Sequence, residues 1–156
     1  MSTHRQRTVE RLALRRDACV IPQPVEGDPG HFLVDATWGT ITPMQPAPGV
    51  RTVGELEVID HIAAGLPLVD TRLSKYFAAG TLPGARSIPP TEIARRLDEL
   101  DPGPDTIVFC NGPQCLATPD AVRILLEAGH PAERLLYYRG GVHDWLTLGL
   151  PLEAPT

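Results

Sequence analysis

Apolar and polar positions along the chain change period in blocks from residue 50 onward. In VRTVGELEVIDHIAAG (50–65), Val53, Leu56, Ile59 and Ile62 recur at helical spacing. They predict one helix with those residues on its buried face and Gly65 as its stop. The run PLVDTR follows, bounded by Pro67 and ending in charge, and reads as a short strand buried on both faces. SKYFAAG predicts a brief helix, and TLPGARSIPP a turn-rich connection. Thr91 is placed to cap a helix over TEIARRLDEL that presents Ile93, Leu97 and Leu100, ended by Asp101-Pro102-Gly103-Pro104. DTIVFC is the most strand-like segment and NGPQCLAT a loop. Thr118-Pro119-Asp120 then reads as N-cap, N1 and N2 of a helix through Ala128, closed by Gly129. RLLYY is a further strand, Gly140-Gly141 a tight turn, and VHDWLTLG a last helix. Strands and helices alternating in this order predict an α/β fold, a parallel sheet with helices on both faces.

Upstream the pattern breaks. Residues 21–50 hold six prolines and four glycines, which excludes a helix or a central strand there. Within them, His31 to Trp38 (HFLVDATW) fits an edge strand, and further back Val9, Leu12, Ala13 and Cys19 allow a short helix. Residues 1–48 are therefore expected to be a Pro/Gly-rich, irregular N-terminal extension, and residues 49–156 the domain proper. Composition narrows the class. At 156 residues and 42% hydrophobic, the chain fits one domain with a core of its own. A net charge of −5 argues against nucleic acid and polybasic membrane binding. No apolar run approaches the roughly 18 residues of a membrane span. The charged start lacks a signal-peptide core, so a cytoplasmic location is expected. Residues 1–16 carry five arginines against Glu10, a balance of +4 that leaves −9 for the rest. This basic arm is either a partner-binding tail or a solubilising terminus. Three cysteines are too few, and odd in number, for a disulfide scaffold, so reduced thiols are expected.

Cys110 ends the strongest strand, and in such sheets ligands bind at the C-terminal ends of strands. A short loop and a helix N-terminus follow. Loop N–H groups and the helix dipole both favour a thiolate there. Gly112 is expected to let the backbone curl and Asn111 to accept a left-handed conformation, with Pro113 stiffening the loop. Such a cradle suits a thiolate, a bound oxyanion or a persulfide sulfur. A buried cysteine acting as a small hydrophobe is the other reading.

Several separated segments over residues 66–151 carry a resemblance: LPLVDTR, KYFAAGTLPGARSIP, TIVFC and YYRGGVHDWLTLGLP. Together they resemble the rhodanese family of sulfurtransferases. Asp70, Arg72, Pro83, Gly84, Ala85, Ile88, Pro89, Cys110, Gly140, Gly141, Trp145, Gly149 and Pro151 match its motifs in order. The resemblance implies a rhodanese-like compact α/β domain, with a central parallel sheet flanked by helices. It also implies ping-pong sulfur transfer through a Cys110 persulfide. The donor would be thiosulfate, a persulfide or a polysulfide, and the acceptor cyanide, a thiol or a sulfur-carrier protein. No cofactor and no metal are expected. Cys110 and Cys115 alone fall short of the four ligands that zinc normally takes.

The loop departs from the family pattern. It reads CNGPQC, so Cys115 stands where an Arg is usual, the Gly comes one place early, and the first following cation is Arg123. The stretch from loop to Gly129 is also slightly longer than the common pattern, and Thr81 replaces the usual His of the H-I-P-G-A motif. Asn111, Gly112, Gln114, Cys115 and Leu116 are the candidate substrate-contacting loop positions. Arg139 and His143, flanking the Gly-Gly turn, could supply a positive charge or a proton. Alternatively, Arg139 pairs with Asp144 and His143 is a surface residue. Asp70 and Arg72 are expected to form a polar brace. Cys115 is either a second thiol, which resolves the persulfide, accepts its sulfur or guards Cys110 from overoxidation, or simply a small filler. Trp145 and Trp38 read as packing residues, and of Tyr137 and Tyr138, on alternate faces, one approaches the site. The competing function is a non-catalytic or sulfur-carrier, regulatory module that docks a protein partner. A cysteine phosphatase is disfavoured because its phosphate-clamping Arg is missing.

Overall fold

The apolar runs LVD, TIVF and LLYY become the three central strands of one sheet, fully buried as such runs must be when helices cover both faces. A computed structural model describes residues 22–29, 31–33 and 42–155. Its first elements are β1 (Gln23–Pro24) and β2 (Phe32–Leu33), a small antiparallel pair. There follow β3 (Arg51–Thr52), α1 (Glu55–Ala63), β4 (Leu68–Asp70), α2 (Ser74–Ala79), β5 (Arg86–Ser87) and α3 (Pro90–Ile93). A 3-10 turn at Leu97–Glu99 leads to β6 (Thr106–Phe109) and α4 (Ala117–Glu127). Another at Ala132–Arg134 leads to β7 (Leu135–Tyr138) and α5 (Gly141–Thr147). The sheet order is β3-β7-β6-β4-β5, with every pairing parallel. The expected α/β architecture is present.

Each face of the sheet carries its own core. Val69, Val108, Leu135 and Tyr137 pack with Ile93 of α3 and Ala121, Val122 and Leu125 of α4. On the other face, Leu68, Ile107, Phe109, Leu136 and Tyr138 pack with Val58 of α1 and Val142 and Trp145 of α5. Trp145 is 2% exposed, meets Tyr138 edge-on and donates its indole N–H to the Pro151 carbonyl.

Three sequence expectations are corrected. Val53 precedes α1, donating its N–H to the Tyr137 carbonyl beyond the end of β3, and the helix buries Val58 and His61, whereas Leu56 is 79% and Ile59 39% exposed. Strict three-residue spacing drifts by about 60° per step around a helix, so such a run cannot hold one face. The helix over TEIARRLDEL stops after four residues and restarts as the Leu97–Glu99 turn. Its N-cap is Pro89 rather than Thr91, Ile93 and Leu100 sink into the core, and Leu97 stays outside. Finally, α4 begins at Ala117 with Leu116 as N-cap, so Thr118 lies inside its first turn. Gly65 and Gly129 do end their helices. Both have positive φ, and each is followed by a residue whose N–H returns to the carbonyl five residues back. Of the expected edge strand, Phe32–Leu33 pairs with β1, but residues 34–38, including Trp38, and the predicted N-terminal helix with Cys19 lie outside the described residues.

The topology selects a location for chemistry. From β4 the chain moves outward to β5, then returns to lay β6 on the other side of β4. The crevice beyond the ends of β4 and β6 is thus the switch point of the sheet, the usual ligand position in open α/β folds.

Candidate active site

Period-two alternation decides which face the site residues take. Val69, Val108 and Tyr137 face α3 and α4. Thr71, Cys110 and Arg139, two positions further on, therefore leave the ends of β4, β6 and β7 toward that side. The Thr71 N–H donates to the Phe109 carbonyl (3.0 Å), and its hydroxyl shares a 2.9 Å bond with Thr118 of α4. Cys110 is 1% exposed, and its thiol donates to the Cys115 carbonyl at 3.5 Å, so the far end of the loop curls back over the sulfur. Cys115 is equally buried, and no disulfide joins the two. The Cys115 N–H closes the curl onto the Gly112 carbonyl at 3.0 Å. The chain then enters α4, which has no side-chain cap. The orphan N–H groups and positive dipole end of an uncapped helix favour a thiolate or persulfide anion in front of it.

The Gly140-Gly141 turn supports this loop from below. Val142 and His143 donate their backbone N–H groups to the carbonyls of Cys110 (3.0 Å) and Asn111 (2.8 Å). Gly141 has φ +60, and a Cβ there would sit 2.3 Å from the Cys110 oxygen and 2.8 Å from the Gly112 nitrogen. Gly112 serves close approach, not a left-handed turn: a Cβ there would stand 3.2 Å from the Gly140 oxygen and His143 Cβ, so these neighbours would have to give by a few tenths of an ångström. Asn111 also departs from expectation. No described non-glycine residue has positive φ, and Asn111 is 2% exposed with both amide atoms lacking a hydrogen-bond partner.

On the opposite face of β4, Asp70 and Arg72 form a buried fork. Arg72 Nη2 lies 2.7 Å from Asp70 Oδ2, and the pair is 3% and 0% exposed. Arg72 also donates to the Gly80 carbonyl, and the Thr81 hydroxyl donates to Asp70 Oδ2 at 2.9 Å. Thr81, standing where the family places His, thus ties its segment to the same carboxylate.

Arg139 does not pair with Asp144. Its Nε and Nη2 donate to the Thr42 carbonyl at 3.1 and 2.7 Å, whereas Asp144 meets His143 Nδ1 at 3.1 Å. Thr42 also donates its N–H to the Pro113 carbonyl (2.7 Å) and bonds the Tyr137 hydroxyl (3.1 Å). Tyr137 is therefore the tyrosine that approaches the site. Its phenol is held well above its ordinary pKa, first by burial and second by the charge of Cys110, so it stays protonated. Tyr138 turns away to donate to Glu55. Gln114 is half-buried within the loop and Leu116 lies 57% exposed at its outer end. Among the described residues, no group of three or more His, Cys, Asp or Glu could hold a metal. Sequence reasoning missed Thr42, Thr71 and Thr118. Period two from Val69 would have found Thr71, but no local signal marks Thr42.

A sequence model of the rhodanese-like domain matches residues 55–148. The chain belongs to the rhodanese-like domain family. A sulfurtransferase of Allochromatium vinosum is 32% identical over 88 residues, covering 56% of this chain and 78% of that protein. An HTH-type transcriptional regulator of Mycobacterium tuberculosis is 41% identical over 91 residues, 58% of this chain but only 39% of the regulator. The crystal structure of a thiosulfate sulfurtransferase from Pseudomonas aeruginosa superposes with a TM-score of 0.55 at 29% identity, covering 69% of this chain and 21% of that one. The family and the relatives named as sulfurtransferases support a sulfurtransferase-type role for this rhodanese-like domain. No helix among the described residues is long and apolar enough to cross a membrane.

Proposed function

We propose that this rhodanese-like protein is a sulfurtransferase whose sulfur carrier is Cys110, with residues 49–156 as the working domain and 1–48 as its extension. The observation that carries the reading is the position of Cys110, at the end of β6 and before the uncapped N-terminus of α4. In the first half-reaction the Cys110 thiolate attacks the outer, sulfane sulfur of thiosulfate. The S–S bond breaks, sulfite leaves with its electron pair, and a Cys110 persulfide remains. A persulfide or polysulfide donor would react likewise, with a thiolate or shorter polysulfide leaving. In the second, cyanide, a thiol or a carrier-protein thiolate attacks the terminal persulfide sulfur and returns Cys110 as thiolate. Splitting the transfer replaces one difficult step with two displacements at sulfur. Loop and helix amides stabilise the anion at each stage. Arg139 is the cation offered to an anionic donor, since the CNGPQC loop has none. Asn111, Gln114 and Leu116 line the approach, and His143 orients the loop through its backbone. The setting is cytoplasmic and reducing, because the chemistry requires the Cys110 thiol.

Cys115 is the second thiol of the site. Its thiolate attacks Cys110 Sγ, forms a Cys110–Cys115 disulfide and expels hydrosulfide, and an external thiol then reduces the disulfide. The regulator relative favours a second reading, in which the same persulfide chemistry serves as a signal to a protein partner. Both readings are tested by thiocyanate formation from cyanide with thiosulfate or glutathione persulfide as donor. Turnover abolished by Cys110→Ser supports the enzyme. A single round of sulfur loading without turnover supports the signalling module, and no loading from any donor rejects both. Cys115→Ser should abolish the disulfide, and hydrosulfide release unchanged in that variant would reject its role.

A further inference from the structure

Thr42 stands apart from its neighbours. It is 3% exposed, whereas Pro43, Met44 and Gln45 are exposed, and the segment returns to the core only at Ala47 and Val50. Thr42 is fixed by polar contacts to three parts of the candidate site: the Pro113 carbonyl in the thiol loop, the Tyr137 hydroxyl on β7, and the Arg139 guanidinium. The N–H groups that Arg139 spends on the Thr42 carbonyl are Nε and Nη2, the fork with which a guanidinium grips an oxyanion. A neutral carbonyl is a weaker acceptor for that fork than an anion is. Meanwhile Cys110 and Cys115 are each 1% exposed, so a donor reaches sulfur only after something moves. The Thr42 contacts are polar and lie outside the two hydrophobic clusters that cover the sheet, apart from the Tyr137 hydroxyl.

We propose that Thr42 is a positioning residue that latches the thiol loop shut, and that an oxyanion releases it by displacing its carbonyl from Arg139. The inference rests on the reading of Cys110 as the group that meets an anionic sulfur donor, and it adds how that donor gains access. Anion binding at Arg139 removes one anchor of Thr42, the Pro113 bond is lost with it, and the loop over Cys110 opens. A donor without an oxyanion group lacks this key and reacts through spontaneous opening alone.

Sulfate, which has the oxyanion geometry but no sulfane sulfur, serves as the probe. Cys110 alkylation by iodoacetamide is followed by peptide mass mapping, and amide exchange is followed in the peptide containing Thr42. Sulfate at constant ionic strength, balanced with chloride, should speed both in the wild type and neither in Arg139→Gln. Thr42→Pro removes the N–H and hydroxyl contacts, so it should raise Cys110 alkylation about tenfold without sulfate, the effect of losing two modest hydrogen bonds. Should that variant fail to fold, Tyr137→Phe, which removes only the hydroxyl contact, should give a smaller increase. No sulfate effect in the wild type, or an equal effect in Arg139→Gln, overturns the latch. Neither readout requires sulfur transfer. A protein that opens with sulfate but never accepts sulfur keeps the latch and loses the enzymatic reading, whereas loading with no sulfate effect does the reverse.

Discussion

Gly141→Ala is the substitution that most sharply separates this geometry from a generic glycine turn. At φ +60 an alanine carries a left-handed penalty of about 1–2 kcal/mol. Its Cβ would also lie 2.3 Å from the Cys110 oxygen and 2.8 Å from the Asn111 carbonyl carbon. Those atoms are backbone, fixed by the Val142 and His143 amides, and cannot rotate aside. Relief of such an overlap costs about 1–3 kcal/mol, so the total is roughly 2–5 kcal/mol. For a chain of this size that lowers the Tm by roughly 5–15 °C. Gly140→Ala is the matched control. Gly140 has φ −61, so an alanine there escapes the left-handed penalty, and the nearest obstacle to its Cβ is Asp144, with Oδ2 at 2.6 Å free to rotate and Cβ at 2.9 Å needing a small shift. Thermal unfolding and Cys110 loading should both separate the two variants, with Gly141→Ala losing more stability and more sulfur uptake than Gly140→Ala. Equal melting temperatures and equal loading in the two would show that the Cys110–Gly112 backbone yields freely to the added methyl group.

Arg72→Gln leaves the Asp70 carboxylate buried with the Thr81 hydroxyl and the residue-72 backbone N–H as its donors, and should destabilise by about 3–5 kcal/mol in denaturant unfolding. A loss below about 1 kcal/mol would mean that water reaches the pair. Burial holds His130 below its ordinary value of 6.5, against a smaller opposing pull from Asp101. The unfolded chain therefore takes up a proton that the folded chain resists. The His130 contribution to stability is complete above about pH 6.5 and is lost as the pH falls below it. His130→Gln should flatten the fall in Tm over that interval, and parallel profiles for variant and wild type would discard this account.

The central strands are legible in the sequence because burial on both faces demands unbroken apolar runs, as in TIVF and LLYY, and helices end where Gly65 and Gly129 can take positive φ. β3 and β5 are not legible. Each is two residues long, Arg51–Thr52 and Arg86–Ser87, too short to express a period, and each exists because a neighbouring strand offers its edge. Cys110 announces itself by its place at the end of β6. The residues around it do not. Thr118 reads as a helix cap by local preference, but tertiary burial spends its hydroxyl on Thr71, 47 positions away. Arg139 has a carboxylate nearby in sequence, yet the Thr42 carbonyl, 97 positions away, takes its fork. Contacts of that range leave no trace in local pattern, which is why the candidate cysteine stands out in the chain and its setting only in the fold.

Every step proposed for the site depends on Cys110 accepting sulfur. Intact and peptide-level mass measured after incubation with thiosulfate, or with a persulfide donor, tests it directly. One added sulfur atom is expected on the Cys110 peptide, removed by cyanide and absent in Cys110→Ser. Sulfur found elsewhere, or none on Cys110 from any donor, would contradict it.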